Sequence, residues 1–307
     1  MIKIHLLCPY ITNYTDMNAT PVYSTIAVLH KDGASTKIQY CGDIQSDKII
    51  LILPALGMSS KHYIHFGAFL SEKLPAICVC ADLRGLGLSS VRVSKGVDFG
   101  YEDIVNDIKD IMTVIWENFS GKKTYIIGHS IGGQLAALYL AREKPPIDGM
   151  LTIASCSIYY KGWGEGLNGY TLLLQTQLVG ILSSILGYFP GKKVGFGATE
   201  AKTLMTDWSR LARTGKFLPA NATCDYEKLL PEIKLPIRSF AIEKDNFAPV
   251  AAIHYLGKKF DPTKTGWKCV VIPQRHGEIK LNHFNWLKYP EYLIEGINNF
   301  IRETKYP

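Results

Sequence analysis

Short runs of β-branched and other apolar residues alternate along most of the chain with longer stretches in which apolar residues recur every three or four positions. That is the pattern of βαβ units around a largely parallel sheet. It predicts eight strands: Val22 to Leu29, Thr36 to Tyr40, Lys48 to Leu53, Ala76 to Ala81, Lys123 to Ile127, Gly149 to Ala154, Ile237 to Ile242 and Lys268 to Ile272. Helices are expected where Ile104, Ile108, Ile111 and Ile115 recur, through the Ala/Leu-rich Ile131 to Leu140, from Pro249 to Leu256 and from Tyr289 to Ile301. They would cover both faces of the sheet. No internal repeat or low-complexity segment interrupts the series.

From about Cys156 to Leu230 the alternation stops. A Gly/Tyr/Trp-rich stretch leads into a charge-free segment from Gly166 to Gly191, in which Leu172 to Leu186 predicts one long apolar helix. The expected organisation is therefore a core of residues 1–155 and 232–307 interrupted by an inserted helical cap, residues 156–231. By length alone the helix could cross a membrane, but Gln175, Gln177, Gly180, Ser183 and Ser184 dilute it. A buried or lid helix, with no stable membrane insertion, is the expectation.

Composition narrows the class further. The 307 residues are 47% apolar and 20% charged, which fits a folded globular chain. The net charge of +7 comes from scattered pairs such as Lys122-Lys123 and Lys258-Lys259, with no long basic run, so no nucleic-acid partner is expected. Seven cysteines, odd in number and without a C-x2-C pair, indicate neither a disulfide framework nor a zinc site. Cys78 and Cys80, two residues apart in a strand, share one face and are expected in the core. The N-terminal apolar stretch is too short for a secretory signal, so the sequons at Asn13, Asn18, Asn118 and Asn221 are taken as chance and a cytoplasmic location is expected.

The candidate chemistry begins after the strand Lys123 to Ile127, where Gly128-His129-Ser130-Ile131-Gly132-Gly133 opens a helix. This is G-x-S-x-G in a strand-turn-helix setting, the elbow that exposes a nucleophilic serine. The serine sits on a sharp turn, and side chains two residues to either side would collide with the neighbouring strand and helix. The bland alternative is a tightly packed βα turn or a phosphate-holding loop. A serine hydroxyl needs a base to take its proton and a carboxylate to orient that base, in the chain order serine, acid, histidine. Asp245 follows the strand Ile237 to Ile242, at the edge where open α/β sheets place their sites, with Glu243 as the second candidate. Two histidines follow the last strand, His276 and His283, and either could reach the serine. His276 has the shorter reach from the strand end. Oxyanion donors are expected from the backbone N–H of Ile131 and from that of Leu56, in the loop Pro54-Ala55-Leu56-Gly57-Met58. Nothing in the pattern calls for a cofactor or a metal.

Leu51 to Gly57, Asp82 to Ser89, Gly128 to Gly133 and the Asp245 and His283 loops together resemble the α/β-hydrolase superfamily over nearly the whole chain. The Pro-Ala-x-Gly loop, the His-Ser-Ile-Gly-Gly-Gln elbow and the His-Phe aromatic run are similar to a bacterial branch of predicted serine hydrolases grouped with serine aminopeptidase-like proteins. The resemblance implies an α/β-hydrolase fold. It also implies His283 as the base, because the catalytic histidine of that branch precedes such an aromatic run. Pro54 departs from the relatives that carry His-Gly there. The insertion falls where this superfamily carries its cap, and Trp163, Leu178 and Leu182 are expected to wall an apolar pocket. The expected activity is hydrolysis of a small-molecule hydrophobic ester, thioester or lactone through an acyl-enzyme. An amidase or aminopeptidase, with Glu165 or Asp207 anchoring the substrate amine, and a non-catalytic hydrolase-fold receptor are the alternatives.

Overall fold

The computed structural model describes residues 21–163 and 167–304. Before the insertion come β1 (Ser24–Leu29), β2 (Ser35–Cys41), β3 (Lys48–Leu53), β4 (Ile77–Cys80), β5 (Lys123–His129) and β6 (Gly149–Ile153). Within it lie β7 (Tyr188–Pro190) and β8 (Thr199–Ala201), and after it β9 (Ile237–Ile242), β10 (Lys268–Ile272) and a hairpin of β11 (Arg275–His276) and β12 (Ile279–Lys280). The eight strands expected from the sequence form one sheet in the order β1-β2-β4-β3-β5-β6-β9-β10. The β1/β2 and β2/β4 pairs are antiparallel, and every later neighbour is parallel. The helices are α1 (Ile64–Lys73), α2 (Tyr101–Asn118), α3 (Ile131–Glu143), α4 (Leu167–Leu186), α5 (Gly191–Val194), α6 (Lys202–Thr214), α7 (Tyr226–Leu229), α8 (Val250–Gly257), α9 (Pro262–Thr265) and α10 (Glu291–Glu303).

Every residue of β3 and β4 is buried, as expected of a parallel sheet covered on both faces. Successive side chains part company: Ile49, Leu51 and Leu53 join the core beneath α2 and α3, whereas Ile50 and Ile52 join the core beneath α1 and α10. Each fully buried aliphatic side chain of this kind contributes about 1.5–3 kcal/mol. Cys78 and Cys80 belong to the second core and are free thiols raised in pKa by burial. Because β3, β5, β6 and β9 run in one direction, the loops leaving their C-terminal ends gather at one edge of the sheet. That edge receives Leu56, Ser130 and Asp245.

The chain leaves the sheet after β6 and returns to it at β9. In between, α6 lies against the core, with Leu204 N–H bonded to Phe99 O at 2.9 Å and Leu204, Met205 and Leu211 buried. Helix α4 packs on α6, on β7 and on the turn at Tyr160–Gly162. The expected apolar helix is thus present, but its orientation differs from expectation: Leu178 is 52% exposed on the face away from α6. Leu182 is half-buried and packs on the core that contains α6.

Candidate active site

Ser130 joins β5 to α3 with φ 53° and ψ −121°. A non-glycine residue held there costs on the order of 1–3 kcal/mol and persists only where its surroundings dictate it. They do: the Ser130 N–H is bonded to Ile153 O of β6 at 3.1 Å, and α3 starts on the next residue. The flanking glycines have the steric role expected of them. A Cβ on Gly132 would lie 2.5 Å from Leu53 O, and one on Gly128 would overlap Gly133. The turn therefore presses α3 against the end of β3, and the Ser130 side chain is half-buried at the sheet edge.

Asp245 and His283 meet. Asp245 is 4% exposed, and one of its carboxylate oxygens is 2.8 Å from His283 Nδ1 while the other accepts the Phe247 N–H at 2.8 Å. His283, itself buried, lies with its ring centroid 5.0 Å from that of His129, the residue before Ser130. Glu243, by contrast, accepts the Gln274 N–H. His276 sits in the β11/β12 hairpin, stacked 3.7 Å from the Tyr292 ring, and its Nε2 is buried without a partner. The structure thus joins His283, and not His276, to the Asp245 carboxylate.

The two expected backbone donors lie on the loops after β3 and β5. Ile131 is the first residue of α3, so its N–H is one of those that a helix start leaves without an intrahelical partner. In the loop after β3, the Ala55 N–H is taken by the Tyr63 hydroxyl at 2.9 Å, and a turn closes from Met58 N–H to Ala55 O at 3.1 Å. Leu56 and Gly57 form the tip of that turn, Gly57 with φ +73°. The β7–β8 connection lies directly on it: a Cβ on Gly57 would fall 2.6 Å from Gly197 Cα. The part of the insertion that meets this corner is therefore the Gly197 segment, rather than α4.

A family model described as alpha/beta hydrolase fold matches residues 48–274. The chain belongs to the alpha/beta hydrolase fold family. Solved structures of the same fold include a Pyrococcus furiosus esterase, PF2001, with 17% identity, TM-score 0.60 and coverage of 94% of this chain and 95% of that one. The alpha/beta hydrolase GrgF from Penicillium sp. sh18 matches at 13% identity and TM-score 0.65, covering 93% of this chain and 100% of that one. A protein described as a putative aryl esterase from Burkholderia cenocepacia matches at 16% identity and TM-score 0.58, covering 92% and 100%. No curated protein matches the sequence.

Within this alpha/beta hydrolase, several residues to which the sequence assigned no role hold the corner together. The Tyr63 hydroxyl is 2.6 Å from His129 Nδ1, and Trp286 Nε1–H donates to His129 Nε2 at 3.4 Å. One imidazole thereby ties the loop after β3, the elbow and the loop carrying His283. Burial, reinforced by neighbouring His283, holds His129 well below the usual histidine range, so it stays neutral. Phe247 and Phe284 flank the His283 ring at 5.4 and 4.8 Å. Across the corner, Phe196 packs with Phe189 and Trp208 beside Gly197. Glu200, 2% exposed, accepts the Ala198 N–H at 2.9 Å and is pushed up to about 7 by burial.

The remaining expected residues lie elsewhere. Trp163 is half-buried, its indole N–H bonded to Ser157 O at 3.1 Å. Asp207 is 4% exposed and engaged within the fold by Tyr101 N–H, Ala220 N–H and Arg210, so it is not presented to a substrate amine. Glu165 lies outside the described residues. Among the described residues there is no cluster of three metal-ligating side chains.

Proposed function

We propose that the protein is a serine hydrolase that cleaves a hydrophobic carboxylic ester, thioester or lactone through an acyl-enzyme. The observation that carries this reading is the 2.8 Å pairing of His283 Nδ1 with the Asp245 carboxylate beside the strained turn at Ser130. Asp245 fixes the imidazole so that Nε2 is the free base. The Ser130 Oγ attacks the carbonyl carbon while its proton passes to His283 Nε2. The negative charge that develops on the carbonyl oxygen is met by the Ile131 and Leu56 N–H groups. Collapse breaks the bond to the alkoxide or thiolate, which leaves with the proton from His283. Water, deprotonated by the same histidine, then releases the acid and restores Ser130.

Phe247, Phe284, Leu56 and Phe196 favour an apolar substrate, being half-buried around the corner with no free charge among them. The amidase reading loses support because Asp207, one of its two candidate anchors, is buried and engaged within the fold. The insertion acts as the cap of this site through the Gly197 segment. A fluorophosphonate probe tests the mechanism: it should label Ser130, identified by peptide mass, and a graded panel of p-nitrophenyl esters beside lactones and aminoacyl amides should be turned over in its ester or lactone arms. Specific ligand binding without labelling or turnover would favour a receptor.

A further inference from the structure

We propose that the outer face of α4 docks the protein on an anionic lipid surface. The helix is built inside out. Its fully buried residues are small or hydroxylated, Gly169, Thr176, Gly180 and Ser183, laid against α6 and its neighbours with Val179 and Leu182 half-buried beside them. The Thr176 and Ser183 hydroxyls donate to Leu173 O and Val179 O of the helix itself, so they need nothing from α6. Five large apolar residues are on the other side: Tyr170, Leu174, Leu178, Ile181 and Ile185 are 52–75% exposed. At 100° per residue these five fall within an arc of about 80°, and at 1.5 Å per residue they run for about 22 Å. An ordinary surface helix is seated by burying such a stripe. Here the stripe is left for another medium.

The charges around the stripe say which medium. At one end Lys161 lies over the Tyr160 ring, which meets Tyr170 at 5.7 Å. At the other, Lys95, Lys192 and Lys193 line a cleft with Tyr188. Along one side, Arg213 and Arg210, the latter paired with Asp207, share a groove of about 350 Å³ with Ile181 and Ile185. Between residues 157 and 220 the sequence has only three acids, of which Glu200 and Asp207 are buried and Glu165 lies outside the described residues. An apolar stripe with tyrosines at its ends and cations beyond them matches the layering of a bilayer surface, acyl chains below and anionic headgroups above. A second copy of the chain would bring like charges together. Residues 1–20 hold one lysine and one aspartate, so they offer the cations no net negative charge. Because the inner side of α4 stays packed on α6, the helix lies along the surface instead of crossing it.

The proposal does not rest on the hydrolase reading, and its test reads binding. Purified full-length protein is sedimented with phosphatidylcholine vesicles made with and without phosphatidylserine. Binding to the phosphatidylserine vesicles, weakened by added salt, is expected. Leu174→Asp with Ile181→Asp should lower the partition coefficient at least about tenfold, and Lys192→Ser with Lys193→Ser should lower it by about fivefold per lysine. These positions are exposed, so the variants should melt like the parent, and Ser130→Ala should bind like it. Equal binding to both vesicle types, or none, would overturn the proposal. So would a concentration-dependent dimer that the Leu174 and Ile181 substitutions dissociate, or binding that appears only after residues 1–20 are removed.

Discussion

The Tyr63 hydroxyl and His129 Nδ1 are 2.6 Å apart, both side chains almost wholly buried, at the point where three loops of the candidate site converge. Tyr63 also accepts the Ala55 N–H, so Tyr63→Phe leaves two buried polar groups short of a partner. Unfolding in urea should show a loss of about 1–3 kcal/mol. If the hydroxyl also positions the Leu56 loop, kcat should fall with little change in KM. An unchanged kcat would reduce Tyr63 to a purely structural role.

Ser130→Ala deletes a hydroxyl from a turn whose glycines and Ile153 bond remain, so the fold should persist. Turnover should drop on the order of a millionfold, measured against circular dichroism to confirm the fold. Near-normal turnover would refute the nucleophile.

His283→Ala should be as inactive as Ser130→Ala, and the double variant scarcely worse than either, because members of one triad act as a unit. His276→Ala should retain most activity, since that ring packs on Tyr292. Steady-state kinetics on the three variants decide between the histidines.

Gly57→Ala places a methyl group 2.6 Å from Gly197 Cα at φ +73°. Either the Leu56 loop or the Gly197 segment must yield. Loss of the Leu56 donor should cost on the order of 100 to 1000-fold in turnover. Gly33→Ala is the control: its φ is +85°, but nothing lies within 4 Å of the new methyl, so activity should be unaffected.

Glu200, raised by burial from 4.5 to about 7, binds its proton more tightly in the folded state than in the unfolded one. Its favourable contribution is present below about 4.5 and is lost as pH rises through about 7, a change on the order of 3 kcal/mol. Glu200→Gln should remove that slope, so the variant gains on the parent in thermal melts between acid and neutral pH. Parallel pH profiles for the two would exclude the assignment.

The middle of the sheet was legible because β3 and β4 are continuous apolar runs between turn residues, and β3, β9 and β10 have the expected bounds. Strands β7, β8, β11 and β12, of two or three residues, are too short to carry a period. Ser130 and Asp245 were legible from their places after strand ends. Spacing left the histidine open, because both candidates follow β10 and only the stacking on Tyr292 separates His276 from Asp245. Tyr63, His129 and Trp286 are brought together by tertiary contacts alone. The orientation of α4 departs from the expectation for a definite reason: the rule that leucines point inward presumes that the partner of a helix is its own core.

The reversed polarity of α4 also inverts its mutational tolerance. In a library of variants sorted for folding alone, Leu174, Leu178, Ile181 and Ile185 should drift freely to polar residues, while Gly180, facing Ser209 with no room for a methyl group, should stay fixed. A hydrophobicity score would rank the same positions in the opposite order.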